Sequence, residues 1–406
     1  MSELDADVIV IGAGISGSTC ACLLAKAGIS VILLEASARQ IADLKPKDPR
    51  IFAISPASRC LLEQAGAWRR IIKEDLGHYR AMHVWDENGL GEICFDSAEI
   101  CQSTMGYIIP YALIADVLQD VMLDMENIRC LWSVKPKSIS HNNDSVTITT
   151  EDNLNYSAKL VVAADGSQSI VRKLAGIQFK KHDYKQSALG CTVITEKPHE
   201  QIARQRFLSN GPLAFLPMAK QNESAIVWSG KPDQVKTLID MEEGAFFREL
   251  ANAFDFELGQ ITACTERKSF PLYRAEASHY TDKRLVLVGD SAHVIHPLAG
   301  LGANLGLLDV ATLVDIIQSA VDRKRDIGRQ QVLRSYERWR KGENRNMLYL
   351  MDGFKYLFEN QQAPVKWVRN AGLDMVDAMP LVKNVIMKYA MGLQGNLPKR
   401  LQRQVY

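Results

Sequence analysis

The 406-residue sequence lacks the patterns that mark several protein classes. Its eight cysteines include no CxxC pair and no Cys/His cluster with zinc-ligand spacing, so no metal site is predicted. No uninterrupted apolar run approaches the roughly 20 residues that span a bilayer. The acidic residues 1–7 also lack the basic segment of a signal peptide. We therefore expect a cytoplasmic protein with reduced thiols.

Charge and composition are those of an ordinary globular protein. Hydrophobic residues make up 47% of the chain and charged residues 23%, and the formal net charge is +1. Because a basic nucleic-acid footprint is missing, we expect small-molecule or protein partners and no nucleic acid. The length is typical of two or three domain-sized units.

Short apolar runs that end at a glycine or an acid predict strands buried on both faces. Residues 7–12 and 30–35 are two such runs, and a helix predicted over residues 15–26 joins them into a βαβ unit. Residues 159–165 and 284–290 have the same pattern. We therefore expect one parallel sheet assembled from distant segments, with the intervening chain forming an inserted domain.

Other segments predict a second kind of sheet and a helical end. Residues 146–150 alternate as in a half-solvated antiparallel strand, and residues 206–228 contain two β-rich runs around glycine and proline. From residue 310 onward the chain has few glycines and many long side chains, which predicts helices.

Gly12-Ala-Gly14-Ile-Ser-Gly17 is a complete GxGxxG motif between a predicted strand and a predicted helix. The first glycine permits a tight turn, the second lets a pyrophosphate approach the backbone, and the third lets helix and strand pack closely. Glu35 ends the second strand, where an acid accepts hydrogen bonds from a ribose and repels a 2′-phosphate. The motif therefore predicts bound FAD or NAD and disfavours NADP.

A second glycine–aspartate site follows the run at residues 159–165. Asp165 and Gly166 are followed by Ser169 and Arg172. Either Asp165 or Ser169 is suited to cap a helix, so a capped turn and a nucleotide contact are both open interpretations.

A third site begins where residues 284–290 end. The Asp290 carboxylate could bind ribityl hydroxyls, and Gly300 and Gly302 would expose backbone N–H groups at the start of a helix. Such donors can stabilise negative charge on a reduced flavin. For His293 and His296 we prefer packing and hydrogen bonding to a ligand role, because neither has a clear metal partner.

Taken together, these motifs resemble the class A flavoprotein aromatic hydroxylases, typified by para-hydroxybenzoate hydroxylase. Further segments resemble the ubiquinone-biosynthesis hydroxylases of the UbiH, UbiF and UbiI type almost from end to end. These segments are residues 48–55, 82–86, 106–108, 207–217, 296–300, 369–373 and 390–392.

The resemblance implies an α/β fold in which a Rossmann-like FAD-binding domain carries an inserted antiparallel β-sheet substrate domain and a helical C-terminal region. The FAD-binding parts would be residues 1–75, 106–180 and 276–330. The substrate domain would comprise residues 76–105 and 181–275, and the helical region residues 331–406.

The resemblance also implies a reaction. Non-covalent FAD would be reduced by NAD(P)H, and the reduced flavin would capture O₂ as a C4a-hydroperoxide. That species would hydroxylate the aromatic ring of a polyprenylated phenol or quinol in ubiquinone biosynthesis. The cofactor carries this chemistry, so no catalytic side chain or metal is predicted.

Site residues are carried over from the resemblance by position. Gly12, Gly14, Gly17 and Glu35 would hold the ADP half of FAD, and Asp290 would bind the ribityl chain. Arg50 would lie near the flavin or the nicotinamide phosphates. The segment that binds and lines the isoalloxazine ring would contain Pro297, Gly300, Leu301, Gly302, Ala303 and Asn304, and the second nucleotide motif Asp165, Gly166 and Arg172.

Two positions depart from the family pattern. The family usually has Gln where this chain has Leu301, and Glu-Asn-Arg where it has Pro110-Tyr111-Ala112. These departures affect polar contacts near the flavin. They leave open two alternatives, a flavin dehydrogenase or reductase without oxygen insertion and a non-catalytic flavoprotein assembly subunit.

The C-terminal region contains six of the 13 methionines, in pairs spaced by four: Met347, Met351, Met375, Met379, Met387 and Met391. Core packing is the simpler interpretation. The alternative is a surface that receives a prenyl tail and contacts the inner face of a membrane, assisted by Lys399, Arg400 and Arg403. We also expect a homo-oligomer and contacts with other quinone-biosynthesis proteins.

Overall fold

The computed structural model describes residues 4–39, 50–71, 76–87, 91–295, 302–359 and 379–402. Within these ranges the helices are α1 (Ile15–Lys26), α2 (Pro56–Ala65), α3 (Tyr111–Leu123), α4 (Ile170–Leu174), α5 (Pro232–Asp240), α6 (Glu243–Ala253), α7 (Gly302–Asp322), α8 (Gln330–Glu359), α9 (Pro380–Ala390) and α10 (Lys399–Gln402).

The strands within the same ranges, in chain order, are β1 (Ala6–Ile11), β2 (Val31–Glu35), β3 (Ile51–Ile54), β4 (Gly77–Tyr79), β5 (Ala81–Asp86), β6 (Glu92–Asp96), β7 (Gly106–Pro110), β8 (Ile128–Trp132), β9 (Pro136–His141), β10 (Val146–Thr150), β11 (Asn155–Ala163), β12 (Phe179–Thr195), β13 (Ile202–Leu208), β14 (Gly211–Pro217), β15 (Glu223–Gly230), β16 (Ile261–Cys264), β17 (Lys268–Ala277), β18 (Thr281–Asp282), β19 (Leu285–Leu287) and β20 (His293–Val294).

The first sheet joins the four predicted strands in the order β19-β11-β1-β2, extended by β18 and β8 at its edges. These four central strands are parallel, with Val8 opposite both Leu160 of β11 and Val31 of β2. The prediction of a sheet assembled from distant segments is therefore confirmed. Strand β10 pairs antiparallel with β9 and β11 and alternates in burial, as its sequence predicts.

The central strands read as continuous apolar runs because both faces of the sheet are covered. Val8, Ile9 and Val10 of β1 are all fully buried. Helix α1 packs against α2, α3 and α7 over one face. Ten of the twelve residues of α1 are buried, since small side chains such as Gly17 and Ala21 let neighbouring elements approach closely.

The second sheet has the order β20-β17-β12-β15-β14-β13-β5-β6, with β16 paired to β12. Its pairs are antiparallel except for β13 beside β5, which are parallel. Helices α5 and α6 cover one face and bury an apolar cluster that includes Phe215, Phe246 and Phe254. The predicted antiparallel platform over residues 206–228 is strands β13 to β15.

A small sheet, β3-β7-β4, contacts helices α3 and α7 and strand β14 of the second sheet. Ile54 and Ile108 are fully buried within it. Gly77 of β4 sits so close to β14 that a Cβ there would lie 2.3 Å from the Pro217 carbonyl oxygen. The small sheet is therefore in backbone contact with strand β14 of the second sheet.

Helix α7 meets the length and composition criteria for a membrane span, yet 67% of its most apolar window is buried inside the protein. It packs against α1, α2 and α8. Its apolar side chains are therefore those of a core helix.

The C-terminal methionines lie mainly in the core. Met347 and Met351 pack in one apolar cluster, and Met387 and Met391 pack in another beside β4 and β5. Met379 is exposed. The core interpretation is confirmed for these four residues, while Met375 lies outside the described residues.

The outward face of α9 is apolar and exposed. Leu381 is 83% exposed and Val385 is 51% exposed, on the side of the helix opposite Met387. Of the three basic residues expected to assist a membrane contact, Lys399 is exposed. Arg400 instead forms a 2.7 Å ion pair with Asp315 and is half-buried, and Arg403 lies outside the described residues.

Candidate functional site

The carboxyl ends of the four central strands bring the three glycine-containing motifs to one edge of the sheet. Backbone hydrogen bonds join the end of each strand to its neighbour. The Gly12 N–H donates to the Leu34 carbonyl at 2.8 Å. The Ala164 N–H donates to the Ile11 carbonyl, also at 2.8 Å. The Val288 N–H donates to the Ala163 carbonyl at 3.0 Å. Ligands of open α/β sheets bind at this edge.

The three glycines of the GxGxxG turn are needed for different reasons. Gly12 has φ +103°, and a Cβ there would lie 2.5 Å from the Ala164 carbonyl oxygen. A Cβ on Gly17 would lie 1.9 Å from the Gly12 carbonyl oxygen. At Gly14, by contrast, the nearest atom to a Cβ would be the Tyr111 hydroxyl at 3.8 Å, so the protein itself leaves this position open.

The N-terminus of α1 faces the same open space. Its cap residue is Gly14, and no side chain accepts a hydrogen bond from the first turn. The first turn also contains no acidic residue that would compete with an anion. N–H groups that no side chain caps, together with the positive end of a helix dipole, are the features by which helix N-termini in proteins bind phosphate.

Glu35 accepts hydrogen bonds from the backbone of the GxGxxG turn and of the segment that follows β2. Its Oε2 accepts a hydrogen bond from the Ala13 N–H at 2.7 Å, and its Oε1 accepts one from the Ser37 N–H at 2.8 Å. Each carboxylate oxygen retains a further lone pair for a ribose hydroxyl.

The second motif forms a capped turn that is also tied to the third motif. Ser169 caps α4 through the Arg172 N–H, and Asp165 Oδ2 accepts from the Ile170 N–H at 2.7 Å. The buried Arg172 guanidinium donates to the carbonyls of Ser291 and Ser167, both at 2.8 Å. The structural interpretation of Ser169 and Arg172 therefore accounts for their contacts.

Asp165 retains one unused acceptor. Its Oδ1 is buried without a hydrogen-bond partner. Burial raises the pKa of this carboxyl, partly offset by the Ser169 hydroxyl and backbone N–H groups. Since the Asp165 Cα lies next to Gly12, this oxygen belongs to the same edge as the GxGxxG turn.

The third motif begins in a short 3-10 turn over Gly289–Ser291. Gly289 has φ +59°, which favours glycine. The Asp290 side chain is exposed to solvent, in a recess formed by the surrounding protein and bordered by His293 and Arg50. That environment raises the pKa of its carboxyl, while His293 and Arg50 act in the opposite direction.

Arg50, at the border of this recess, packs against Tyr111. The Arg50 guanidinium lies 4.0 Å from the centre of the Tyr111 ring, and the Tyr111 N–H donates to the Arg50 carbonyl at 2.8 Å. The Tyr111 hydroxyl in turn faces Gly14. In the sequence Tyr111 is visible only as a departure from the family pattern, because its contact partner Arg50 lies far away in the chain.

The predicted ring-side segment is described in part. Helix α7 begins at Gly302, as expected. The Asn304 side chain donates to the Ala53 carbonyl at 2.7 Å and accepts from the Ser55 N–H at 3.0 Å, so it ties β3 to α7. His296, Pro297, Gly300 and Leu301 lie outside the described residues.

Sequence reasoning missed Asp309, which is fully buried in α7. Its Oδ2 accepts from His293 Nε2 at 2.6 Å and from the Gly289 N–H at 3.1 Å. Its Oδ1 accepts from Arg340 Nε at 2.7 Å and from Asn344 Nδ2 at 3.0 Å. The expected hydrogen-bonding role of His293 is confirmed. An acid within the apolar run of residues 307–314 was the available signal, because a buried Asp needs partners.

The described residues fit FAD in three respects. The open space at Gly14 and the uncapped α1 N-terminus fit a pyrophosphate. The exposed carboxylate in the recess at Asp290 fits the hydroxyls of a ribityl chain, and the unpartnered Asp165 oxygen provides a further acceptor at the same edge.

Comparison with known proteins agrees with this geometry. The sequence profile of a family described as FAD binding domain matches residues 5–348. Ubiquinone hydroxylase UbiL of Rhodospirillum rubrum is 34% identical over 402 residues, covering 98% of this chain and 93% of that protein. The 3-demethoxyubiquinol 3-hydroxylase of Escherichia coli is 32% identical, with 97% of this chain and 100% of that protein covered.

A human relative and a solved structure extend the comparison. Mitochondrial ubiquinone biosynthesis monooxygenase COQ6 of Homo sapiens is 30% identical, covering 95% of this chain and 92% of that protein. The crystal structure of p-nitrophenol 4-monooxygenase PnpA from Pseudomonas putida superposes with a TM-score of 0.77 at 20% identity, covering 96% of this chain and 99% of the other. The latter similarity concerns the fold.

Proposed function

Because the chain belongs to the FAD-binding family that includes the hydroxylases of ubiquinone biosynthesis, we propose that it hydroxylates the aromatic ring of a polyprenylated phenol or quinol. NAD(P)H is the electron donor and O₂ the oxygen source. Bound FAD, once reduced, supplies the oxygen activation that no amino-acid side chain can provide.

One observation carries the cofactor side of the proposal. In the GxGxxG turn, only the space beside Gly14 is open. Backbone atoms of the protein occupy the space beside Gly12 and Gly17. A chain that needed these glycines for packing alone would have no reason to leave the second one unobstructed. The opening lies in front of the uncapped α1 helix, where a diphosphate is stabilised.

The residues of the edge divide between the two halves of FAD. Gly12, Gly14 and Gly17 with Glu35 hold the ADP half, and Asp290 binds the ribityl hydroxyls. We assign the isoalloxazine side to Pro297, Gly300, Leu301, Gly302, Ala303 and Asn304, and Asn304 acts there through its hydrogen bonds to β3 and Ser55. Arg50 and Tyr111 border the diphosphate from the opposite side, and Asp165, Gly166 and Arg172 shape the turn beneath it.

The second sheet provides the wall on which the aromatic ring is positioned. Strands β13 to β15 meet the small sheet at Gly77 and Pro217, beside the dinucleotide side of the molecule. This arrangement supports the division into FAD-binding segments at residues 1–75, 106–180 and 276–330 and a substrate domain at 76–105 and 181–275. The protein's task there is to orient the ring and exclude water.

The exposed face of α9 is the surface we assign to the lipid end of the substrate. Leu381, Val382, Val385 and Ile386 form an apolar row on this helix, next to the exposed Lys388. A polyprenyl chain is not soluble as a monomer, so an apolar receiving surface is required. Peripheral contact with a membrane through this face, from the cytoplasmic side, meets that requirement.

Isotope labelling distinguishes the proposed reaction from its alternatives. The purified holoenzyme is supplied with NADH or NADPH and a short-chain prenylated phenol under ¹⁸O₂, and the product is analysed by mass spectrometry. We expect one ¹⁸O atom in the new hydroxyl group. An oxidised product without label would indicate a dehydrogenase, whereas FAD binding without turnover of any prenylated phenol would indicate an assembly subunit.

A further inference from the structure

We infer that Asp309 is a positioning residue for FAD, because its carboxylate fixes the turn at residues 289–293 and thereby presents Asp290 to the cofactor. The inference rests on FAD binding at this sheet edge and not on ring hydroxylation. The FAD affinity of the apo-protein therefore tests it separately from the proposed reaction.

Asp309 is charged although it is fully buried. Burial alone would raise its pKa, but His293 and Arg340 outweigh that effect and hold the pKa at about 2. A buried carboxylate persists in a fold only when its partners repay the loss of hydration. Four hydrogen-bond donors meet this requirement, two from the turn at residues 289–293 and two from helix α8.

The two oxygens hold different elements. Oδ2 binds both ends of the flavin-side turn, through the Gly289 N–H and the His293 ring. Oδ1 binds α8 through Arg340 and Asn344. Asp309 therefore joins the turn to two long helices, and the turn cannot move independently of them while these bonds hold.

Close packing also holds the Gly289 end of the turn. A Cβ on Gly289 would lie 3.0 Å from the Ser16 hydroxyl and 3.6 Å from the Gly306 Cα, so α1 and α7 already touch the turn. The Ser291 hydroxyl donates to the Ala163 carbonyl at 2.7 Å. The hydrogen bonds described for the turn thus fall on residues flanking Asp290 and leave its carboxylate facing the recess.

Helix α8 also forms hydrogen bonds with strand β19, which leads into the turn, and with Tyr280 just before β18. The Tyr336 hydroxyl donates to the Leu287 carbonyl at 2.8 Å, and Glu337 accepts from the Tyr280 N–H at 3.1 Å. Strand β19 is thereby fixed before the turn and Asp309 fixes the turn itself. Loss of the Asp309 charge should loosen the ends of the turn at Gly289 and His293, while the hydrogen bonds of Ser291 and strand β19 stay in place.

Asp309→Asn tests the inference because it keeps the side-chain volume and removes the charge. We expect FAD to bind the apo-protein about tenfold more weakly, since apparent affinity falls with the fraction of molecules whose turn is competent. The visible circular dichroism of bound flavin, which reports how rigidly the ring is held, should also weaken.

Asp326→Asn is the matched control. It breaks a bidentate ion pair with the buried Arg284, at 2.6 and 3.0 Å, at the amino end of β19 and away from the site. Both variants should lower the melting temperature of the apo-protein, but the control should bind FAD within about twofold of wild type. Equal losses of FAD affinity in the two variants would mean that Asp309 acts only through general stability.

Asn344→Ala decides the question if Asp309→Asn does not fold. This change removes one donor to Asp309 Oδ1 and the acceptor of Arg340 Nη2, and it leaves the hydrogen bond from Arg340 Nε to Asp309 in place. We expect FAD binding to weaken about threefold, in proportion to one lost hydrogen bond of modest strength. Wild-type affinity and an unchanged flavin dichroism in every folded variant of this group would overturn the inference.

Discussion

Replacing Gly14 by alanine should separate cofactor binding from folding. The Gly14 backbone has φ −71° and ψ 178°, a conformation that any residue adopts. The added methyl group would meet only the Tyr111 hydroxyl, at 3.8 Å. The variant should therefore fold normally, and the loss of glycine flexibility in the unfolded chain should stabilise the apo-protein by roughly 0.4–1 kcal/mol.

FAD binding should respond in the opposite direction. The methyl group would occupy the space through which a diphosphate oxygen reaches the N–H groups of the α1 N-terminus. Losing one or two charge-assisted hydrogen bonds, each worth roughly 1.5–3 kcal/mol, should weaken FAD binding at least about tenfold.

Gly17→Ala provides the contrast within the same motif. Its Cβ would lie 1.9 Å from the Gly12 carbonyl oxygen, a backbone atom that cannot turn aside. We expect a destabilisation at or above the upper end of the roughly 1–3 kcal/mol that overpacking usually costs. Gly12→Ala should behave similarly, because φ is +103° there and the Ala164 carbonyl oxygen is 2.5 Å away.

The assay is thermal unfolding of apo-protein combined with FAD titration followed by flavin fluorescence. Gly14→Ala should keep or raise the apo melting temperature and lose FAD affinity, whereas Gly17→Ala should lose stability first. Wild-type FAD affinity in Gly14→Ala would refute the assignment of this opening to the diphosphate. A melting temperature as low as that of Gly17→Ala would refute the packing argument.

Four further predictions follow from the same edge and from α9. Asp290→Ala should weaken FAD binding about ten- to hundredfold in a flavin titration, because each charged hydrogen bond contributes roughly 1.5–3 kcal/mol; unchanged binding would remove the ribityl assignment. Tyr111→Phe should retain the ring under the neighbouring guanidinium and lose less FAD affinity than Tyr111→Ala, and equal losses would contradict the stacking role. Asp309 has its pKa lowered to about 2 from 3.8, so it contributes stability above pH about 4 that is lost as the pH falls toward 2. That contribution is about 2 kcal/mol and should be missing from acid unfolding curves of Asp309→Asn. Leu381→Ser with Val385→Ser should selectively reduce turnover of long-chain substrates in vesicles, and equal losses with short-chain analogues would favour a purely structural α9.

The parts of the fold that sequence predicts best are those in which local pattern and tertiary environment agree. Strands buried on both faces need continuous apolar runs, and parallel neighbours bring their carboxyl ends together. That is why residues 7–12, 30–35, 159–165 and 284–290 could be placed in one sheet before any contact was known. The GxGxxG motif was recognisable because each of its three glycines is needed for a separate reason: a tight turn, the approach of a ligand to the backbone, and close packing of helix and strand.

The supporting residues could not be placed in the same way. The Tyr111 ring packs against the guanidinium of Arg50, which lies 61 positions earlier in the chain. No local sequence pattern pairs these two residues. Asp309 draws its partners from positions 289, 293, 340 and 344, which only the folded chain brings together. Arg400 was expected at a membrane surface but is held by Asp315, since a basic residue at a helix end pairs with whatever acid the fold supplies.

The chain order of the first sheet has a consequence for synthesis. Strand β11 lies between β1, which leaves the ribosome early, and β19, which is made after the whole second sheet. The part of the β11 edge at residues 161–163, beyond its pairing with β10, therefore stays unpaired while well over a hundred further residues are translated. Exposed edges of apolar strands invite association with other chains. FAD cannot protect this intermediate, because the turn after β19 completes its site. Nascent chains should depend on chaperones until translation passes α7, and extra FAD supplied to the cell should rescue folding only after that point.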